Sequence, residues 1–273
     1  MATILRAGRI VVRFSGPDAH RLLNDVLTGP FDPQSDEAGW WALLTPQGKI
    51  LAEGLAGFAE DAWWLDVSTS VAENFLKRMK MYRLRAKAEI EDLRETYRVG
   101  WSAERPQDGI VHRDARGGGL GYRVLDPLEA TAGWIEGEDF VRARIAAGIA
   151  ELGEDFEPET TFAHDIALDL NDGIDFDKGC YVGQEVVSRM KHRGTARRRP
   201  VIVSGLSAQA GSAVASGGRD AGTVGRVIDG TAVAVLRLDR IADPQAATVE
   251  GAPVTLTLPS WASYAFGESG DED

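Results

Sequence analysis

The chain contains one cysteine, Cys180, among 273 residues. A single thiol cannot close an internal disulfide, so the chain reads as an inhabitant of a reducing compartment and is expected to be cytoplasmic. One cysteine also cannot hold a four-ligand cluster by itself. Histidine is scarce as well. His20, His112, His164 and His192 stand apart from one another and from Cys180 at spacings unlike those of zinc ligands, so no resident metal is expected. No apolar run is long enough to cross a bilayer. The opening stretch, Met1 to Arg13, carries Arg6, Arg9 and Arg13 where a secretory leader would be continuously apolar. Positive charge is in deficit, with 30 Lys and Arg against 42 Asp and Glu, a net charge of −12. Such a surface gives no general attraction to nucleic acid or anionic membrane. No P-loop or nucleophile elbow is present. Gly117-Gly118-Gly119-Leu120-Gly121 leads into a strand pattern rather than a helix, which excludes a dinucleotide fingerprint.

What remains is a globular composition, 44% apolar and 26% charged, long enough for more than one compact unit. Arg9 to Phe14 predicts a strand. Ser15-Gly16-Pro17 opens a helix whose apolar face is Leu22, Leu23, Val26 and Leu27. Trp40 to Thr45 and Ile50 to Phe58 predict a hairpin around Pro46-Gln47-Gly48-Lys49, and Trp63 to Val67 a further strand. Ser70 and Glu73 fit a capping box ahead of a helix presenting Val71, Phe75, Leu76, Met79 and Tyr82. Ala86 to Ile90, Tyr97 to Trp101 and Leu120 to Leu125 read as strands, and Val141 to Leu152 as a helix. Beyond Arg199 the pattern changes to short β runs, Val201–Val203, Thr223–Ile228, Thr231–Leu238 and Val254–Leu258, separated by glycines, as in a small closed β unit. The expected organisation is an α+β region over residues 1–197, the closed β unit over 198–265 and an acidic tail over 266–273.

Lys178-Gly179-Cys180-Tyr181-Val182-Gly183-Gln184-Glu185 is the most informative segment. It sets two glycines around the lone cysteine and predicts a helix starting at Gln184. A thiol beside Lys178 and close to a helix N-terminus sits where thiolate is favoured. Taken alone, the residue is open to two readings, a reactive thiol or an inert buried one. The octapeptide resembles the Lys-Gly-Cys-aromatic-x-Gly-Gln-Glu motif of the YgfZ family of folate-binding proteins. The resemblance extends to Leu43–Ile50, to Gly16-Pro17-Asp18-Ala19 with Leu22-Leu23 and Leu27-Thr28, to Asp114-Ala115-Arg116 with Gly119–Arg123, and to Asp165–Asp177. It covers most of residues 5 to 199.

The resemblance implies an α+β, aminomethyltransferase-like fold of lobes around a central opening, with a small C-terminal β-barrel. It implies tetrahydrofolate or another reduced folate in that opening, and a role in iron–sulfur cluster assembly or repair with Cys180 as the functional thiol. The residues expected to bind the cofactor are Lys178, Gly179, Tyr181, Gly183, Gln184, Glu185, Arg116, Arg123, Arg189 and Arg193. Two departures argue against glycine-cleavage chemistry. Where aminomethyltransferases carry an Asn-Ala step, this chain reads Leu65-Asp66-Val67-Ser68-Thr69. Where they carry a pterin-holding Glu, it reads Gly119-Leu120-Gly121-Tyr122-Arg123. Other readings are a folate-dependent aminomethyltransferase or demethylase, and a folate- or RNA-binding module without catalysis. Two basic stretches, Lys77 to Lys87 and Arg189 to Arg199, are either solvated faces or a shared rim for a folate tail or an RNA backbone. The expected partners are iron–sulfur carrier or client proteins, and the expected state is a monomer.

Overall fold

The computed structural model describes residues 2–194 and 196–267, so most of the expected acidic tail over 266–273 lies outside the described residues. The first sheet is antiparallel, with strand order Gly39–Leu44, Ile50–Ala59, Ala62–Ser68, Arg9–Ser15, Glu89–Asp92. Alternation along a strand sends Ile10, Val12 and Phe14 to one face and Arg9, Val11 and Arg13 to the other. Helices α1 (Ala19–Val26) and α2 (Ala72–Arg83) cover the first face. Phe75 of α2 meets both Phe14 and Trp41, with ring centroids 6.4 and 5.1 Å away. Burying each such side chain stabilises the fold by roughly 1.5–3 kcal/mol.

The second face packs on another antiparallel sheet, Ile4–Leu5, Tyr97–Ser102, Tyr122–Pro127 and Ile110–Arg113 in that order. Val11 and Trp64 share a buried cluster there with Val99, Ile110 and Leu125. Adjacent tryptophans therefore point to opposite faces. Trp63 lies in the helix-side core and Trp64 in the inter-sheet core. Helix α3 (Asp139–Ala146) closes the second sheet through Phe140, which packs on Ile4 and Trp101. From Arg198 onward the chain forms a three-stranded sheet with Arg198–Ser204 at its centre, and a four-stranded sheet, around a separate core that includes Val203, Val214, Leu236 and Val249.

Three local expectations are corrected. No side chain caps α2: Val71 is its N-cap, and the Ser70 hydroxyl is engaged with Ser68 instead. The strand expected over Ala86 to Ile90 runs Glu89–Asp92, because pairing with Arg9–Ser15 begins only at Glu89. The helix expected to reach Leu152 stops at Ala146. Gly148 adopts φ +68°, and a Cβ there would stand 2.3 Å from the Pro259 ring, so the backbone turns away beneath the C-terminal unit.

Candidate functional site

The octapeptide forms a loop, exposed at Gly179 and Cys180, that runs into α4 (Gln184–Arg193). Its entry is a turn in which the Asp175 carboxylate accepts the backbone N–H groups of Asp177 and Lys178 at 3.0 and 3.1 Å. The Lys178 ammonium then reaches across to α1 and donates to the carbonyls of Leu27 at 2.5 Å and Gly29 at 2.8 Å. These carbonyls follow the helix end, where a cation is favoured. Burial lowers the Lys178 pKa to about 8, with Asp175 and Asp25 opposing the shift. Tyr181 is buried beside it, its ring 5.2 Å from the ammonium. Burial raises the pKa of its hydroxyl, which has no hydrogen-bond partner among the described residues.

Gly183 fixes the other end of the loop. It takes φ +83°, and a Cβ there would lie 2.7 Å from the Thr45 carbonyl oxygen. Gly48, at the tip of the facing hairpin, leaves room for Val186 in the same way. The loop is thus pinned by Lys178 and Tyr181 on one side and by Gly183 on the other. Cys180 is displayed between them, free and exposed. Gln184 is half-buried in the first turn of α4. Glu185 is exposed and lies 3.7 Å from Arg189, and Arg193 is exposed at the end of the same helix.

Arg116 and Arg123 lie elsewhere. Arg123 is buried between the two sheets, bonded to Asp66 at 3.2 Å and to the carbonyls of Leu55 and Trp64. Asp66 also takes two bonds from Arg9, at 2.8 and 2.5 Å. Arg9 extends the network to Glu53 and Glu151, and Glu151 to Arg6 and Arg144. Burial alone would raise the carboxyl groups of Asp66 and Glu151. The surrounding guanidinium groups outweigh it, holding Asp66 below the usual range and Glu151 at about 2. About 20 Å³ of space remains among these side chains. Asp66 and Arg123, which belong to the two segments where the sequence was expected to depart from aminomethyltransferases, are bonded to each other.

Arg116 borders a larger cavity of about 260 Å³. Trp40, Trp63 and Trp261 form its apolar walls, and Asp32, Glu37 and Asp172 its acidic ones. Arg116 is held by Asp114 at 2.9 and 2.7 Å and lies 5.3 Å from the Trp40 ring. None of residues 178–185 lines either space. Among the described residues, no three Asp, Glu, His or Cys side chains converge as a metal site. Sequence reasoning missed Glu53, Glu151 and Arg144. Its one readable signal was a single acid set inside an apolar strand, as in Ile50-Leu51-Ala52-Glu53.

Comparison with known proteins agrees with this architecture. A crystal structure of the glycine cleavage system aminomethyltransferase T from Bartonella henselae superposes with a TM-score of 0.75, over 97% of this chain and 87% of that one, at 15% identity. The family described as CAF17, C-terminal beta-barrel domain, matches residues 196–264. An iron-sulfur cluster assembly factor IBA57 homolog, mitochondrial, from Pyricularia oryzae is 31% identical over 72% of this chain and 55% of its own length. The human mitochondrial IBA57 is 28% identical over 93% of this chain and 83% of its own. The chain belongs to the YgfZ-like family. It spans about half the length, 55%, of the fungal family members it matches from Mycosarcoma maydis and Pyricularia oryzae. These YgfZ-like relatives are named as mitochondrial, which overturns the expectation of a cytoplasmic protein. A lone thiol marks only a compartment without disulfides, and composition carries no address within that class. Among the described residues no helix is long and apolar enough to cross a membrane.

Proposed function

We propose that this protein is an accessory factor in iron–sulfur cluster assembly and that Cys180 is the thiol through which it acts. The observation that carries this reading is the exposure of Cys180 on a loop anchored at both ends by buried groups. A thiol meant only for packing has no need of such display. The relatives named as iron-sulfur cluster assembly factors supply the process. A single thiolate gives one iron ligand, so the remaining ligands come from a carrier or client protein. The thiol proton is released to water as the sulfur–iron bond forms.

Reduced folate is the proposed ligand of the 260 Å³ cavity. The space between the sheets does not fit a pterin ring, since Arg123 and Asp66 fill it. The outer cavity fits the two-ring head, with tryptophan walls and carboxylates to accept its N–H groups, and leaves the glutamyl tail outside. Folate when bound is a carrier of one-carbon units. Asp66 is fully engaged by Arg9 and Arg123, which disfavours it as the carboxylate of an aminomethyltransferase or demethylase.

The test is complementation. Cells lacking this protein should recover iron–sulfur enzyme activities with the wild-type copy and fail to recover them with Cys180→Ser. Full recovery by the mutant would remove the thiol from the mechanism.

A further inference from the structure

The end of α2 carries a feature that neither the thiol loop nor the cavity uses. Lys77, Arg78, Lys80, Arg83, Arg85 and Lys87 stand without an intervening acid in a chain of net charge −12. None of the six forms a salt bridge among the described residues. Arg78 and Arg83 bond only to Asn74 and to the Ala88 carbonyl. Two large apolar side chains stand among them, Met81 at 57% exposure and Leu84 at 85%. Leu84 also holds a positive φ, +44°, which is costly for a bulky non-glycine residue. A patch serving only solubility needs neither an exposed leucine nor strained backbone.

The patch has a fixed relation to Cys180. The backbone of Lys87 bonds to Asp18, through the Asp18 carboxylate at 2.7 Å and the Asp18 N–H at 3.2 Å, where α1 begins. Lys178 bonds to Leu27, where α1 ends. Helix α1 has eight residues, which makes it about 12 Å long. The basic loop and the thiol loop therefore sit at the two ends of one short helix, whose outer residues His20, Arg21 and Asp25 are exposed.

We infer that Arg83–Lys87 and the end of α2 form a docking surface for an acidic protein face that inserts an apolar side chain beside Leu84 and Met81. The basic residues select the charge of the partner and speed the encounter. The two apolar side chains supply the anchor. A protein is favoured over RNA because Met81 and Leu84 are aliphatic and give nothing to phosphates, and no fully exposed aromatic ring stands here to stack on a base. The identity of the partner as an iron–sulfur carrier rests on the function proposed above. The docking chemistry does not.

Fluorescence anisotropy on the full chain tests it with three labelled probes: a helical peptide alternating Glu with Leu, a polyglutamate of equal charge, and a single-stranded RNA of equal charge. The Glu–Leu peptide should bind tightest and weaken with salt. Leu84→Ser should weaken it about tenfold, and Lys80→Glu with Arg85→Glu should abolish it. Both sites are exposed, so folding is retained, and circular dichroism verifies this. Cys180→Ser should leave peptide binding unchanged. Equal binding of polyglutamate and peptide, indifferent to Leu84→Ser, would reduce the patch to a charged face and overturn the proposal, as would RNA binding tightest. If the peptide binds as expected while Cys180→Ser still complements, the docking surface stands and the thiol mechanism falls.

Discussion

The Lys178 ammonium, bonded to two carbonyls at the end of α1, fixes the loop from which Cys180 is displayed. Its burial has a consequence for stability against pH. The folded-state pKa is about 8 and the unperturbed value 10.5. Between those values the unfolded chain binds more protons than the folded one, so stability rises with pH across that window. Below about 8 the cost of burying the charge is fully present. Lys178→Met removes this titration while keeping the length of the side chain. Urea midpoints measured from neutral pH to pH 10 should climb more steeply for the wild type than for the variant. Parallel curves would mean that the amine titrates normally and is well solvated. The sequence placed Lys178 beside the thiol, but the role of the lysine as a clamp on α1 depends on a contact spanning about 150 residues, which no local pattern encodes.

At the scale of elements, strands and helices with strong periodicity were legible. Arg9–Ser15, the hairpin around Gly48 and α4 starting at Gln184 formed where the apolar spacing and turn residues set them. The failures came where distant contacts override local pattern. Helix α3 ends early because Pro259 lies over Gly148, and α2 starts uncapped because Ser70 is engaged with Ser68. The thiol loop offers a paired test of how an element is seated. Gly183 has φ +83° and the Thr45 carbonyl against it, so Gly183→Ala should unseat α4 from the hairpin and cost about 1–3 kcal/mol. Gly179 has open space around it, so Gly179→Ala should change stability by no more than about 0.5 kcal/mol. Denaturant unfolding of the two variants measures this directly. Equal effects would show that the loop is not pinned at Gly183.

The whole molecule is held together by contacts between the lobes and the C-terminal unit, and these also complete the cavity. Arg199 bonds Asp169 at 2.7 and 3.1 Å, Arg226 reaches Glu138 and Glu154, and the Trp261 indole donates to the Ala147 carbonyl at 2.7 Å. Trp261 thereby lines the cavity together with Trp40 and Trp63. The family resemblance supplied folate as an expectation, but not a place for it. The motif is at the thiol loop, the space between the sheets is filled by Arg123 and Asp66, and the open cavity is lined jointly by the first sheet and by Trp261 of the C-terminal unit. The proposal that reduced folate occupies this cavity therefore makes a demand on the assembled molecule. Tetrahydrofolate should raise the melting temperature, since a ligand of the native state stabilises it. It should also quench tryptophan fluorescence. Trp261→Ala should weaken binding about tenfold by removing one aromatic wall, whereas Cys180→Ser should leave it unchanged because the thiol loop does not line the cavity. Calorimetric titration of the three proteins decides the matter. If Cys180→Ser weakens folate and Trp261→Ala does not, the ligand sits at the thiol loop. If none of the three gives heat or a thermal shift, folate is no ligand of this chain.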